Sequence, residues 1–91
     1  MFHVLTLTYL QPPDVIAETR PAHNEWVKAH FDAGHLILAG RQESGAGGIL
    51  ITGDITVEEA DAMTATDPYE LAGLVRYDRT SFNATFRAPH L

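Results

Sequence analysis

The stretch HLILAGRQESGAGGILIT, residues 35–52, predicts a β-hairpin in the middle of the chain. Its first part, His35 to Gly40, is a short apolar run of the kind that forms a buried strand, and Ile49 to Thr52 is a second such run. The segment between them is rich in glycine and polar residues, which is typical of a flexible turn. We therefore expect two antiparallel strands joined by a longer loop.

A helix is predicted before this hairpin, from Pro21 to Ala33. Proline suits the first helical turn, where its missing N–H would have no partner, and Gly34 is a typical residue for a helix stop. Apolar residues recur at spacings of four, three and four along the segment, which predicts one face packed against the sheet. The residues of that face are Ala22, Trp26, Ala29 and Ala33.

A second helix is predicted after the hairpin. Thr56 and Glu59 are spaced as a capping box, in which each side chain accepts the other residue's backbone N–H at a helix start. The helix is expected to end before Asp67 and Pro68, because a residue that precedes proline resists helical backbone angles. Its predicted inward residues are Val57, Ala60, Met63 and Thr64.

The two ends of the chain are predicted to be strands. Phe2 to Leu10 is rich in β-branched and aromatic residues and stops at the turn sequence QPPD. Leu71 to Phe86 has a strand-like composition, with Phe82, Ala84 and Phe86 in alternation. The resulting order, β-α-β-β-α-β, is that of a ferredoxin-like α+β subunit with an antiparallel sheet.

The predicted sheet is expected to pack against a second copy of the chain. Two helices cover only one face of a four-stranded sheet, yet the first strand has no truly polar face. An apolar face left without cover favours burial against an identical sheet, so we predict at least a homodimer. One face of that strand consists of Leu5, Leu7 and Tyr9, and the other of Phe2, Val4, Thr6 and Thr8.

The composition restricts the class of protein. A chain of 91 residues fits one domain over residues 1–91, and the lack of cysteine excludes disulfides and thiolate metal sites. The net charge of −6, with only 6 scattered basic residues, disfavours nucleic acids and anionic membranes as partners. No apolar run approaches the roughly 20 residues that span a bilayer, and the first residues lack the features of a signal peptide. We therefore expect a soluble cytoplasmic protein.

Three polar residues are candidates for chemistry. His23 adjoins the predicted apolar face of the first helix, and an imidazole can both take and give a proton near neutral pH. Asp67 could orient that imidazole, and Arg20 could present its planar guanidinium to an anionic substrate. Each also has a structural interpretation: a helix-start histidine bonded to a nearby oxygen, an Asp-Pro turn and a surface cation.

The other histidines and the glycines indicate no metal or phosphate site. His23 and His30 are seven residues apart, or about 10 Å along a helix axis, whereas a helical metal pair is spaced i, i+4. His35 follows a helix-ending glycine, His90 lies near the chain end, and no role is predicted for His3. The glycine-rich SGAGG lacks the Lys-Ser/Thr of a phosphate loop. No metal or cofactor is expected.

Four short motifs are spaced along the chain: RPAH (20–23), AG (39–40), GG (47–48) and DPY (67–69). Together they resemble the YCII (YciI-like) family. The resemblance extends over nearly the whole chain, including the order and spacing of the elements. It implies a dimeric α+β barrel of ferredoxin-like subunits with an active site around a His–Asp pair. The histidine falls on His23, the aspartate on Asp67 and the arginine on Arg20.

The family resemblance implies a cofactor-free acid–base enzyme acting on a small oxygenated ring compound. The family includes a dehydrochlorinase of a chlorinated hydroxyquinol, and its fold is similar to that of muconolactone isomerase. A lyase, isomerase or dehydrochlorinase is therefore expected, with His23 transferring the proton, Asp67 orienting it and Arg20 holding a negative oxygen. The alternatives are a dimeric module that binds a small metabolite without catalysis and a cofactor-free oxygenase.

Overall fold

Four antiparallel strands form a single sheet in the computed structural model, which describes residues 1–91. The strand order across the sheet is β2-β3-β1-β4. The predicted ferredoxin-like α+β class is confirmed, with one short helix in addition to the two expected. The strands are β1 (Phe2–Tyr9), β2 (Leu36–Arg41), β3 (Gly47–Thr52) and β4 (Val75–Phe82), and the helices are α1 (Pro13–Asp32), α2 (Val57–Thr64) and α3 (Pro68–Leu71).

Helix α1 begins at Pro13, so the predicted start at Pro21 is wrong. Pro12 is the N-cap residue and Pro13 lies in the first turn, which means that the QPPD sequence both ends β1 and opens the helix. Pro21 lies inside the helix, where it cannot donate a backbone hydrogen bond. Arg20 and His23 therefore stand in the middle of a 20-residue helix. Neither α1 nor the two shorter helices are long and apolar enough to cross a membrane.

The apolar face predicted for α1 is also wrong, except at Trp26, which packs partly buried against the core. The buried side chains of this helix are Ile16 and His23, and Val27 packs partly buried against the core on the same side. A helix that starts at Pro21 does not include Ile16. The spacing of apolar residues after Pro21 therefore predicts a buried face that differs from the one observed. Those residues are exposed or only half-buried: Ala22, Trp26, Ala29 and Ala33.

The central hairpin is confirmed, with shifted ends. Strand β2 starts at Leu36, and β3 starts at Gly47, before the predicted Ile49. Gly47 approaches β1 so closely that an added Cβ would lie 1.8 Å from the carbonyl oxygen of Leu7. A side chain at this position would therefore push the two strands apart, which explains why β3 opens on glycine.

The second half of the chain follows the prediction in part. The capping box of α2 is present, since the Glu59 N–H donates to Thr56 Oγ1 at 3.0 Å and the Thr56 N–H donates to Glu59 Oε1 at 3.1 Å. Of the predicted inward residues, Ala60 and Met63 are buried. The other two, Val57 and Thr64, are only half-buried.

The predicted last strand is too long at both ends. Leu71 belongs to α3, a helix that begins because Asp67 caps it and Pro68 occupies its first turn. Strand β4 ends at Phe82, and Phe86 is 93% exposed beyond it. As predicted, α2 ends before Asp67 and Pro68. The same two residues also start α3.

The hydrophobic core fills one face of the sheet, the face that packs against the helices. Along β1 the odd-numbered side chains point to this face, and His3, Leu5 and Leu7 are fully buried there. Two clusters of buried residues make up the core. They are Leu7, Ile16, Tyr69, Leu74 and Val75, and Leu5, Leu36, Leu50 and Met63.

The opposite face of the sheet carries apolar side chains in its centre. Strand register places Ile51 opposite Val4 on one side and opposite Leu38 on the other. Val4 and Ile51 are half-buried, and Leu38 is 61% exposed. This is the face that the sequence analysis expected a second copy to cover, and the homodimer stays a prediction.

Candidate functional site

A cleft of about 300 Å³ opens between α1 and the sheet. Leu7, Gly48 and Leu50 contribute to its lining from neighbouring strands, and the register places their row on the helix-facing side of the sheet. Gly48 has no side chain, and an added Cβ would lie 3.2 Å from the carbonyl oxygen of Gly40 and 3.6 Å from the Leu7 side chain, so the backbone itself forms the floor of the cleft at that point. The polar residues that line the cleft are Tyr9, Arg20, His23, Asn24, Arg41 and Tyr69.

His23, which lines this cleft, is hydrogen-bonded to Asp67, which lies behind it. The two atoms, His23 Nδ1 and Asp67 Oδ1, are 2.8 Å apart, and the residues are separated by 44 positions in the chain. A carboxylate can only accept, so Nδ1 carries the proton and Nε2 is left with a lone pair. His23 is 9% exposed and lines the cleft, which makes this lone pair the group available to a bound molecule.

Asp67 is held by two further donors. Its Oδ1 also accepts the backbone N–H of Tyr69 at 2.9 Å, and its Oδ2 accepts the hydroxyl of Tyr77. The residue is fully buried, and no buried side-chain polar atom lacks a hydrogen-bond partner. Burial and the hydrogen bond to Asp67 raise the pKa of Tyr77 strongly, so its hydroxyl stays protonated as a donor. Three donors thus fix the carboxylate in the orientation that receives His23.

Two aromatic rings fix the plane of the imidazole. The ring of His23 stacks on that of Tyr69, with centroids 4.1 Å apart and planes at 15°. The Trp26 ring stacks at 5.8 Å, and its Nε1–H donates to Thr66 Oγ1 at 2.9 Å. The hydrogen bond to Asp67 sets the direction of the ring, and the stacking sets its tilt. His23 is therefore positioned before any ligand binds.

Arg20 lies one turn before His23 on α1 and lines the same cleft. Burial alone would lower the pKa of Arg20, but hydrogen bonds with the hydroxyls of Tyr9 and Tyr69 outweigh it and raise the pKa. Burial likewise raises the pKa of Tyr69, so that hydroxyl keeps its proton. The guanidinium is a permanent cation held beside the imidazole.

Four residues that line the cleft or hold Asp67 are not predicted from the sequence alone. Tyr69 belongs to the DPY motif, but no pattern in the sequence predicts that its ring stacks on His23. Tyr77 reaches Asp67 because β4 pairs with β1 in a register that sets Tyr77 opposite Leu7. Arg41 lines the cleft from the end of β2, and Tyr9 from the end of β1. Their places depend on strand pairing, which the chain order alone does not specify.

The remaining histidines lie outside the cleft. His3 is fully buried; its Nε2 donates to the carbonyl oxygen of Ile55 at 2.8 Å, which leaves Nδ1 to accept the Ser81 hydroxyl at 2.7 Å. His30 and His35 bond to each other through their Nδ1 atoms at 2.9 Å. No group of three or more His, Asp or Glu side chains is arranged to hold a metal ion.

The fold and the cleft define a class of protein: a ferredoxin-like α+β subunit with an imidazole–carboxylate pair between a helix and the sheet. A sequence profile of the YCII-related domain matches residues 1–81, and the chain belongs to this family. The prediction that one domain extends over residues 1–91 goes beyond the matched range and stays a prediction.

Two known proteins are similar to the chain. The 5-chloro-2-hydroxyhydroquinone dehydrochlorinase TftG of Burkholderia phenoliruptrix AC1100, solved in complex with 2,5-dihydroxybenzoquinone, has a TM-score of 0.74 at 16% identity, over 91% of this chain and 94% of that one. At this identity the likeness shows a shared fold. A sequence named 12 kDa protein from Mycolicibacterium smegmatis is 78% identical over 23 residues, which are 25% of this chain and 96% of that sequence.

Proposed function

We propose that the chain is a cofactor-free acid–base enzyme of the lyase, isomerase or dehydrochlorinase type, acting on a small oxygenated ring compound. The observation that carries this proposal is the bond between His23 Nδ1 and Asp67 Oδ1, which leaves Nε2 for a molecule in the cleft. A cleft of about 300 Å³ suits a single-ring compound. The fold shared with a dehydrochlorinase agrees with this substrate class.

The proposed reaction begins with proton transfer to His23. Nε2 takes a proton from a ring hydroxyl or an acidic ring carbon, and the electron pair left behind forms a new double bond in the substrate. In a dehydrochlorinase that pair moves through the ring and expels chloride, so that one HCl leaves in total. In an isomerase the imidazolium returns the proton to a different carbon. Asp67 stabilises the imidazolium in both cases.

Arg20 binds the substrate oxygen on which negative charge develops. Its guanidinium lines the same cleft as His23, so it is available to a substrate oxygen that binds beside the imidazole. Proton transfer by a positioned imidazole contributes about 10²- to 10⁴-fold to the rate. Loss of His23 should remove a factor of this size.

We also propose that two copies pair through the apolar face of the sheet that carries Leu38 and Ile51. Exposure of Leu38 supports this, because Leu38 on the edge strand ends a row of apolar side chains that runs through Ile51 to Val4, and such a row favours burial. Light scattering at micromolar concentration should give twice the 10.0 kDa chain mass. Leu38→Lys should give the monomer mass, and a monomeric wild type would contradict the proposal.

The catalytic proposal is tested without knowing the natural substrate. The chain is incubated in D2O with a panel of hydroxyquinols, chlorinated hydroxyquinols and muconolactones, and deuterium uptake and chloride release are followed by NMR and ion chromatography. Activity of the wild type on at least one compound is expected to fall about 10²- to 10⁴-fold in His23→Gln. His30→Gln is the matched control on the same helix and should keep full activity.

The outcomes separate the alternatives. If the wild type binds panel compounds but neither exchanges protons nor releases chloride, the chain is a binding module and the catalytic proposal fails. If oxygen is consumed with a hydroxyquinol, the reaction is an oxygenation. If a compound is converted equally fast by the wild type and by His23→Gln, His23 is not the base.

A further inference from the structure

The two cations that line the cleft differ from all other basic residues of the chain. There are 6 Lys and Arg residues, and four of them form ion pairs with carboxylates within 4.0 Å. The two without a carboxylate partner are Arg20 and Arg41, and both line the cleft. The four paired residues are Lys28 with Glu25, Arg76 with Asp78, Arg79 with Asp61, and Arg87 with Asp54.

The acidic residues have the opposite distribution. The chain contains 12 Asp and Glu residues, and none of them lines the cleft. Asp67 lies behind His23, where its oxygens are occupied by His23, Tyr69 and Tyr77. A protein of net charge −6 thus keeps its two free cations together in a space without a carboxylate. Like charges that share a cleft repel each other, and a bound anion is the partner that relieves this.

A bulge in β2 directs Arg41 into the cleft. Leu36 pairs with Thr52 and Leu38 pairs with Ile51, so the register shifts between them. Leu36 and Arg41 are five positions apart, and strict alternation would put them on opposite faces of the sheet. Because of the shift, both face the helices, and Arg41 stands opposite Gly48 in the lining of the cleft.

We propose that the cleft binds a ring compound with two anionic groups, one held by Arg20 beside His23 and the other held by Arg41. Arg20 and Arg41 come from different elements, α1 and the end of β2, so they can hold two separate groups of one ligand. Arg41 is therefore a specificity-determining residue that selects dianions over monoanions. The inference rests on the proposed function only in taking the cleft as the substrate site, and it concerns binding, not proton transfer.

The test compares dicarboxylates with their singly charged amides. Benzene-1,3- and 1,4-dicarboxylate and the matching monoamides, 3- and 4-carbamoylbenzoate, are titrated into the protein by isothermal calorimetry at low salt. One dicarboxylate is expected to bind about tenfold more tightly than its amide, since a hydrogen-bonded ion pair is lost in the amide. Arg41→Gln should abolish the difference, and Arg41→Lys should restore part of it.

Two controls keep this result separate from catalysis. Lys28→Gln removes an ion-paired cation from α1 and should leave both affinities unchanged. His23→Gln should keep the preference for the dicarboxylate even where it abolishes turnover, so either proposal can fail without the other. Equal affinities for diacid and amide in the wild type, a preference that survives in Arg41→Gln, or no binding of either probe at millimolar concentration would overturn the proposal.

Discussion

Helix α1 carries two paired histidines, and the pairs differ in their partners. His23 bonds to a buried carboxylate, whereas His30, two turns later, bonds to the imidazole of His35. Beside a carboxylate an imidazole can become cationic at little cost, because the anion stabilises it. In a pair of imidazoles one ring must supply a lone pair, so a second proton breaks the bond. One pair is suited to proton transfer, and the other is suited to the neutral state.

The surroundings of His30 and His23 support the same difference between the two pairs. Burial and the neighbouring His35 lower the pKa of His30. His23 is more enclosed, and its partner Asp67 accepts three hydrogen bonds that fix the position of the carboxylate. The chemistry of a histidine on this helix is thus determined by the residue across from it, and changing that residue should change the behaviour of the ring.

The largest expected effect comes from breaking the His23–Asp67 pair at its carboxylate. Asp67→Asn replaces the carboxylate beside His23 by a neutral amide, whose nitrogen in the place of Oδ2 forces the Tyr77 hydroxyl to turn from donor to acceptor. We expect unfolding in urea to show a loss of about 3 kcal/mol, together with loss of any turnover. Asp14→Asn, in the exposed first turn of α1, is the matched control and should change stability little. An Asp67→Asn protein as stable as the wild type would contradict the described network.

A smaller effect is expected from Tyr77→Phe, which removes one donor and keeps the charge. The Asp67 Oδ2 then loses its hydrogen bond, and we expect a loss of about 1.5 kcal/mol in the same unfolding measurement. Tyr77 and Asp67 are the two partners of one hydrogen bond, so in the double variant with Asp67→Asn the two losses should not add. Additive losses would show that Tyr77 and Asp67 act independently.

The His30–His35 pair should make the free energy of unfolding depend weakly on pH. The folded-state pKa of His30 is lowered, so the unfolded chain binds more protons between that pKa and about 6.5. Stability from this group is therefore present above about pH 6.5 and is lost as the pH falls through the folded pKa. Urea unfolding of the wild type and of His30→Gln is compared at each pH, which cancels the other titrating groups. A wild type that loses no more stability than His30→Gln on acidification would contradict the lowered pKa.

The smallest expected change is a rise in the pKa of His30 when its partner becomes a carboxylate. His35→Asp replaces the second imidazole by an acceptor, as Asp67 is for His23. The pKa of His30 should then rise instead of being lowered, as followed by NMR of its ring protons. His35→Asn supplies the same shape without the charge and should give no such rise. Equal pKa values in the two variants would show that the partner's charge does not decide the titration.

The sequence specified local features better than long-range ones. The capping box of Thr56 and Glu59 and the hairpin after His35 depend on residues close together in the chain, and both are present. The start of α1 was misplaced because two prolines, Pro13 and Pro21, each suit a first helical turn. Only the packing of Ile16 decides between them, and that packing involves residues far away in the chain.

In the candidate site, too, the features that depend on long-range contacts are the ones that the sequence does not predict. His23, Asp67 and Arg20 are candidates by residue type and position, the family resemblance strengthens them, and their roles stay predictions. The hydroxyl of Tyr77 on Asp67 depends on the pairing of β1 with β4. The inward direction of Arg41 depends on a register shift within β2. A one-residue change in either register would turn these side chains to the other face, and no local pattern in the sequence fixes it.

The separation of His23 and Asp67 by 44 residues also bears on how the protein is made. A growing chain that has not yet released residue 67 from the ribosome contains α1 and the hairpin but no carboxylate for His23, and the third donor arrives only with β4. Contacts between distant segments are the slow ones to form, so the cleft should be completed near the end of folding. A half-made chain therefore contains His23 without the carboxylate and the hydroxyl that complete its hydrogen-bond network.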